Sequence, residues 1–156
     1  MTDFTVPGPP QGKARARTFY NPRIGRSVSY TPDKTILYEN LIKSRYIEAA
    51  DGIYDSQDPI RIRIYAYFEP AKSVGKKKRQ QMLSGDISPT KKPDADNIAK
   101  VVCDALNGLA YHDDSQICEI YVKKLYGEVS RLEISIDKYD QMTEGGQNAQ
   151  ATEKRP

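Results

Sequence analysis

Residues 60–68 read IRIRIYAYF, and this stretch predicts a β-strand with one buried face. Its apolar residues recur at every second position, and successive side chains of a strand point to opposite sides of the sheet. The positions between them carry two arginines and two tyrosines. We therefore expect a strand in a sheet that other elements cover on one side. The expected inward residues are Ile60, Ile62, Ile64, Ala66 and Phe68.

Strand signals also occur near both ends of the chain. Residues 3–6 (DFTV) predict a short strand that stops at the following proline, because the proline-rich segment behind it cannot continue a sheet. Residues 116–127 and 129–137 predict two more strands, with Gly127 at the turn between them. Residues 17–30 (RTFYNPRIGRSVSY) predict two short extended runs around an Asn-Pro…Gly turn.

The first main helix is predicted over residues 31–51. Thr31 suits the N-cap and Pro32 suits the first helical position. Apolar residues recur at helical spacing over about five turns, which indicates an amphipathic helix. The expected apolar stripe is Leu37, Leu41, Ile42, Tyr46 and Ile47. A further short helix is compatible with residues 74–83 (VGKKKRQQML), but its charge is too dense for burial.

The second main helix is expected to begin near Asp94 or Asp96 and to stop at Gly108. Asn97, Lys100 and Asp104 lie on the side opposite the apolar stripe. The stripe itself consists of Ile98, Val101, Val102, Ala105 and Leu106.

Together these elements predict an α+β fold, in which a mixed β-sheet packs against two main helices. The 156 residues are long enough for one domain with a sizeable core, and we assign that domain to residues 1–140. Residues 141–156 lack any apolar period, so we expect them to form a disordered tail.

Several classes of protein are disfavoured by the composition. No apolar run approaches the roughly 18 residues of a membrane span, and the N-terminal segment lacks the apolar region of a secretory signal. We therefore expect no membrane contact and a cytoplasmic location. Cys103 and Cys118 have no zinc spacing, and we expect them to be small buried residues in a reducing compartment. The single histidine excludes a histidine-based metal cluster within one chain.

The net charge is only +3, but it is unevenly distributed. Residues 11–26 contain five basic residues and no acid, and residues 71–92 contain seven basic residues against one aspartate. Separation of this kind indicates a polyanionic partner better than the total charge does, although solvated loops give the same pattern. The candidate nucleic-acid contacts are Lys13, Arg15, Arg17, Lys72, Lys76, Lys77, Lys78, Arg79, Lys91 and Lys92.

Carboxylates flank the second main helix at both ends. Asp94 and Asp96 precede it, and Asp113 and Asp114 follow it. The chain behind the helix is just long enough to run back along it, so a cluster of three carboxylates is feasible. Two ionised carboxylates 4 Å apart repel by about 4 kcal/mol at an effective dielectric near 20. A hard divalent cation would offset that repulsion, and all-oxygen ligands favour Mg²⁺, Mn²⁺ or Ca²⁺.

Structural roles remain open for the same residues. Asp94 or Asp96 suits a helix N-cap, and Asp113 with Asp114 suits a turn. Lys100 lies one helical turn after Asp96 and could simply pair with it or with Asp104. Under that interpretation the chain is a basic DNA-binding module without catalytic chemistry.

One stretch carries a resemblance to a known family. Residues 92–120 contain KPDADN, then a lysine four residues after the second aspartate, then DALNG and DDSQ. This pattern resembles the RusA family of Holliday-junction resolvases of bacteria and their phages. The opening strand with its proline-rich loop and the basic segment before the aspartates resemble phage-type members. The resemblance covers most of residues 3–138 and is strongest in the centre.

The resemblance implies a homodimeric, Mg²⁺-dependent endonuclease that cuts four-way DNA junctions with paired nicks, with Mn²⁺ able to substitute. It assigns the metal-binding and catalytic aspartates to Asp94, Asp96 and Asp114, and the catalytic lysine to Lys100. The expected partners are branched DNA and a second copy of the chain. Neither His112 nor Cys103 matches a family signature.

Overall fold

The alternating stretch forms strand β4 (Ile60–Phe68) in a computed structural model of the chain, which describes residues 1–50 and 52–140. The predicted tail, residues 141–156, lies outside the described residues. The remaining elements, in chain order, are β1 (Thr2–Pro7), β2 (Arg17–Asn21), β3 (Arg26–Tyr30), α1 (Asp33–Ala49), α2 (Lys76–Leu83), α3 (Ala95–Leu106), a 3₁₀ turn (Asp114–Gln116), β5 (Ile117–Tyr126) and β6 (Arg131–Lys138).

The main sheet has four strands in the order β1-β6-β4-β5. β6 pairs antiparallel with both of its neighbours, whereas β4 and β5 are parallel, so the sheet is mixed as predicted. A parallel pair needs a long crossover, and α2 and α3 both lie in the connection from β4 to β5. β2 and β3 form a separate two-stranded sheet. This arrangement confirms the predicted α+β class.

The core lies between one face of the sheet and the helices α1 and α3. All five predicted inward positions of β4 are buried, and the intervening positions are half-buried. The apolar stripe of α3 is buried as predicted. Each such side chain stabilises the fold by about 1.5–3 kcal/mol when fully buried, so this stripe fixes α3 against the sheet. The stripe consists of Ile98, Val101, Val102, Ala105 and Leu106.

Helix α1 differs from its prediction at its start and in its buried face. Pro32, not Thr31, occupies the N-cap position. Leu37 and Ile47 are 69% and 62% exposed, so their predicted burial is wrong. The residues that face the core are Thr35, Tyr38, Ile42 and Tyr46.

Two tyrosines, the unpredicted Tyr38 and the predicted Tyr46, supply much of the buried face. A tyrosine ring buries a large apolar area when its hydroxyl group finds a partner at the edge of the core. Tyr46 donates a hydrogen bond from its hydroxyl to the carbonyl oxygen of Gly52 at 2.7 Å, and its ring packs edge-on against Phe4. Spacing alone does not distinguish this stripe from the aliphatic one beside it.

The two cysteines are both free thiols, and only one of them is partly buried. Cys103 on α3 is half-buried, and burial raises the pKa of its thiol to about 11, which leaves it protonated and unreactive at neutral pH. Cys118 is exposed on the edge strand β5, so its predicted burial is wrong. Within the described residues, no helix has the length and apolar character needed to cross a membrane.

Candidate active site and nucleic-acid interface

The N-terminus of α3 presents two carboxylates that have no partner among residues 1–50 and 52–140. Asp94 occupies the N-cap position, as one alternative predicted, but its side chain makes no capping hydrogen bond. Asp96 lies in the first helical turn. Both residues are exposed, and neither carboxylate bonds to any part of the chain that the structure describes. The backbone N–H groups and the dipole at a helix N-terminus favour negative charge, so the ionised carboxylates are stabilised there.

Lys100 follows Asp96 by one helical turn on the exposed side of α3. Its ammonium group forms no ion pair or hydrogen bond within residues 1–50 and 52–140. The pairing with Asp104 that a structural role would require is absent, because Asp104 bonds to Lys13 instead. Lys100 is therefore a cation available to a ligand near the helix N-terminus.

The second acidic pair divides into a turn residue and an uncommitted residue. The carboxylate of Asp113 accepts a hydrogen bond from the backbone N–H of Ser115 at 2.9 Å, and the Gln116 side chain accepts from the Asp113 N–H. The hydrogen bonds from Ser115 lower the pKa of Asp113. Asp114 is exposed, and its carboxylate has no partner among the described residues. Of the two aspartates, Asp114 is thus the one free to bind a ligand.

The strand β5, which follows α3, runs back along the helix, whereas the sequence had shown only that such a return of the chain is feasible. Lys124, near the end of β5, donates a hydrogen bond to the carbonyl oxygen of Lys91, just before the helix begins. Burial is the main cause of the raised pKa of Cys103 and of Tyr111, and the charge of Asp114 adds to it, so Asp114 lies near the second half of α3. Among the described residues, no three acidic, histidine or cysteine side chains are grouped closely enough to hold a metal ion. The meeting of the three aspartates stays a prediction.

A cleft of about 700 Å³ opens beside Asp94. Its walls come from the loop after β1, from the start of α1 and from the segment that leads into α3. We call it the basic cleft, because four cations and a single acid line it. These charged residues are Lys13, Arg15, Lys34, Lys92 and Asp94, and Asn97 adds an amide.

The basic cleft therefore combines cations of the first positive window with Asp94, the first aspartate of the KPDADN stretch. A cleft lined mainly by cations concentrates counter-ions, and a phosphate backbone is a polyanion that such a cleft can bind. Phosphate held in the cleft would lie beside the Asp94 carboxylate.

Comparison with known proteins agrees with this geometry. The family model described as Endodeoxyribonuclease RusA matches residues 7–137. The chain belongs to the RusA family. It is also 34% identical over 136 residues to an uncharacterized protein of Bacillus subtilis (strain 168), YqaN, which covers 85% of this chain and 93% of the relative. Membership of the family makes this protein a nuclease of the class that resolves Holliday junctions.

In this RusA-family protein, Lys13 connects three parts of the cleft wall. Its ammonium group bonds to Glu39 on α1 and, at 2.9 Å, to Asp104 on α3. Its backbone N–H donates to the carbonyl oxygen of Asn97 at 2.9 Å. Desolvation by burial lowers the pKa of Lys13, but the bonds to the two carboxylates outweigh it, and the pKa is raised overall. The predicted DNA contact of Lys13 stays a prediction, and in the structure its charge is already neutralised.

Gly12 permits the loop to lie this close to α3. A Cβ atom at Gly12 would stand 2.8 Å from Cβ of Asn97 and 3.0 Å from Cβ of Pro93. Contacts between carbon atoms that short are repulsive, so a side chain here would push the loop away from the helix. The absence of a side chain at Gly12 therefore sets the width of the basic cleft.

The second positive window takes a different place in the RusA-family fold. Lys72 and the three lysines of α2 are exposed, whereas Arg79 is half-buried. Lys91 lies over the rings of Phe68 and Tyr126, with its nitrogen 5.3 and 5.8 Å from the ring centroids. Only Lys92 of this window lines the basic cleft. The remaining contacts to nucleic acid stay predictions.

Two features of the site were missing from the sequence predictions. Lys34 was absent from the predicted nucleic-acid contacts, and the pairing of Lys13 with Glu39 and Asp104 had no local signal, because the partners come from distant segments. Asn97 belongs to the quoted KPDADN stretch, so its position beside Asp94 was within reach of the motif. Opposite charges in the motif and in the first basic window are the signal that could have suggested Asp104 as a partner of Lys13.

Proposed function

We propose that this protein is a metal-dependent endodeoxyribonuclease that resolves four-way DNA junctions by paired cleavage of phosphodiester bonds. The observation that carries the proposal is the pair of exposed, unpartnered carboxylates of Asp94 and Asp96 at the edge of a cleft lined by cations. A purely structural pair of aspartates would cap the helix or form ion pairs, and these two do neither with any described residue.

The donor set suits Mg²⁺, with Mn²⁺ as a substitute. Mg²⁺ prefers oxygen ligands and is usually held by one or two carboxylates, with water and substrate phosphate completing its shell. Asp94, Asp96 and Asp114 are the residues proposed to hold it, and each has an uncommitted carboxylate. When bound there, the ion would polarise the phosphodiester and lower the pKa of an attacking water.

The protein's own cations have separate tasks in this proposal. Arg15, Lys34 and Lys92 line the basic cleft and would hold phosphates of the strand to be cut. Lys100 would stabilise the negative charge that develops on the phosphate, or orient the attacking water, because it is exposed and unpaired next to the aspartates. Asp113 is excluded from this set by its commitment to the turn.

We also propose that the active form is a homodimer. Paired nicks in a two-fold symmetric junction need two active sites related by similar symmetry. Two apolar residues of α1, Leu37 and Ile47, are exposed by more than half, which supports an interface on this chain. Sedimentation equilibrium measures the mass directly, and a monomer at concentrations that support cleavage would refute this part of the proposal.

The test is cleavage of a labelled four-way junction in Mg²⁺ and in Mn²⁺, with linear duplex as a second substrate. Asp96→Asn is expected to abolish cutting and to keep junction binding, because it removes a ligand without a structural bond. Asp113→Asn is the matched control, since it neutralises an acid of the same region and is expected to retain cutting.

Two results would change the proposal. A purified protein that binds the junction and never nicks it with either metal would be a DNA-binding module without catalytic chemistry. Equal cutting of linear duplex would keep the nuclease and remove the junction specificity.

A further inference from the structure

The β2–β3 hairpin is a ribbon whose apolar residues remain uncovered. Its strands pair with each other and with no strand of the main sheet. A soluble surface normally scatters its large apolar residues, but this short segment exposes four of them by about half or more. They are Phe19 (50%), Tyr20 (64%), Ile24 (51%) and Tyr30 (45%).

The tip of the hairpin has a defined shape that presents Ile24. The side-chain oxygen of Asn21 accepts a hydrogen bond from the backbone N–H of Arg23 at 3.0 Å, and the Asn21 carbonyl oxygen accepts from Ile24 N–H at 3.3 Å. Gly25 takes a left-handed conformation, with φ of +63°, which lets the chain return into β3. The result is an apolar point with Arg23 and Arg26 on either side, and both arginines are exposed.

The ribbon behind the tip is braced on both of its faces. Phe19 and Tyr30 pack edge-on, with ring centroids 6.2 Å apart. On the other face, the hydroxyl groups of Thr18 and Ser29 hydrogen-bond at 2.6 Å. A cross-strand pair of either kind contributes about 0.2–1 kcal/mol to a two-stranded ribbon. These pairs hold the two strands together behind the tip.

The charge of this segment favours DNA as the partner that covers the apolar residues of the hairpin. Residues 11–32 contain five basic residues and no acid. A second copy of the same ribbon would bring like charges together. DNA instead offers phosphates for the arginines and the flat faces of bases for the apolar residues. Proteins that kink or open DNA insert apolar side chains such as isoleucine between base steps.

The position of the hairpin in the chain supports the same occupant. The loop that enters β2 lines the basic cleft through Lys13 and Arg15, and the segment that leaves β3 lines it through Pro32 and Lys34. Both ends of the hairpin are therefore attached to segments that line the cleft. A DNA strand bound in the cleft would extend toward the hairpin. A four-way junction interrupts the continuous duplex at its crossing point, so the bases there cost less to separate than those inside a linear duplex.

We propose that the hairpin acts as a wedge that inserts Ile24 between bases at the branch point, with Arg23 and Arg26 on the flanking phosphates. This inference rests on the proposed junction substrate. It assigns selection of branched over linear DNA to the hairpin, and leaves the chemistry to the aspartates of α3. Loss of the inserted side chain is expected to lower the affinity for the junction at least fivefold.

The test uses a four-way junction with 2-aminopurine beside the branch point, because the fluorescence of this base rises when it loses its stacking neighbours. Binding is measured without divalent metal, so cleavage does not interfere. The wild-type protein is expected to raise the fluorescence, and Ile24→Ala is expected to lose most of that rise and at least fivefold in junction affinity. Its affinity for linear duplex stays within twofold, since duplex offers no opened step.

Ile53→Ala is the matched control. It makes the same chemical change at a residue that is also about half exposed (45%), but it follows the end of α1, whereas the cleft lies at the start of that helix. It is expected to leave the fluorescence rise intact. Both variants are expected to keep the wild-type melting temperature, because neither side chain is buried.

Three outcomes overturn the wedge. An Ile24→Ala protein with an unchanged fluorescence rise shows that the tip does not separate bases. An Ile24→Ala protein that sediments as a monomer, where the wild type sediments as a dimer, shows that the hairpin contacts a second protein chain instead. Equal losses on junction and duplex reduce the hairpin to a general DNA contact. Failure of the proposed nuclease is seen separately, as absent cutting by a wild-type protein that still produces the fluorescence rise.

Discussion

Replacing Lys13 with methionine separates two roles of this residue, a clamp of the cleft wall and a contact to DNA. In the structure its ammonium group bonds to Glu39 of α1 and Asp104 of α3, and its side chain is only 21% exposed. Methionine keeps most of the apolar stem and removes the charge. The variant therefore leaves the two carboxylates facing each other without a cation between them.

The size of the effect follows from this geometry. In the wild type, the Glu39 and Asp104 carboxylates bind the same ammonium nitrogen, so their oxygens lie about 5 Å apart. At an effective dielectric near 20, two unit charges at that distance repel by about 3 kcal/mol. Both groups retain some access to water, which relieves part of that repulsion. We expect the free energy of unfolding to fall by about 2 kcal/mol, and the melting temperature by about 4–8 °C for a chain of this size.

The assay pairs thermal melting with the salt dependence of DNA binding, and Arg15→Met is the matched control. Arg15 lines the same cleft, but it is exposed and has no partner among the described residues. We expect Arg15→Met to keep the melting temperature and to reduce the salt slope by about 1, the value for one lost phosphate contact. Lys13→Met is expected to do the reverse. The double variant Lys13→Met with Asp104→Asn should recover part of the lost stability.

The pH dependence gives a further check on the clamp. The pKa of Lys13 is raised in the fold, so its contribution to stability is complete below its ordinary value of 10.5 and is lost as the pH rises through the folded value. The difference in melting temperature between wild type and Lys13→Met should therefore be constant near neutral pH and shrink above pH 10.5. A Lys13→Met protein with an unchanged melting temperature and a reduced salt slope would refute the clamp and establish a DNA contact.

Three further predictions use other parts of the site and the sheet. Mg²⁺ at about 100 times its dissociation constant should stabilise the wild-type protein by about 2.7 kcal/mol in a melting experiment, and should leave Asp96→Asn unchanged. Gly12→Ala should widen the cleft by forcing the loop away from Asn97, which lowers junction affinity in a titration, whereas Gly75→Ala, with open space around it, should not. Asp137→Asn should cost about 2 kcal/mol at pH 7, because Asp137 bonds to Arg61 at 2.7 Å. The bond from Arg61 lowers the pKa of Asp137, so the difference between wild type and variant is present above the ordinary pKa of 3.8 and disappears as the pH falls below it.

The strands and the helix α3 could be predicted because their signals are local. A strand repeats every two residues and a helix every 3.6, so the buried face of β4 and that of α3 follow from the order of apolar residues alone. The order of residues around Asp94, Asp96, Lys100 and Asp114 is also a local signal, and it identifies the family. The N-cap position of Asp94 was within reach for the same reason, since helix ends depend on a few adjacent residues.

Tertiary structure decided the features that depend on residues distant in sequence. The buried face of α1 was chosen by the tyrosine rings that pack into the core, and the hydroxyl group of Tyr46 finds its partner outside the helix, which no period within the helix reveals. Whether an aspartate caps a helix or stays free is a difference of one hydrogen bond, and only the folded geometry shows that Asp94 makes none. In the sequence, Lys13 is one of five cations between residues 11 and 26, and nothing marks it as paired. Folding brings the carboxylates of Glu39 and Asp104 to its ammonium group. A sequence fixes local periods through bond geometry, but the partner of a charge depends on which surfaces the core has already brought together.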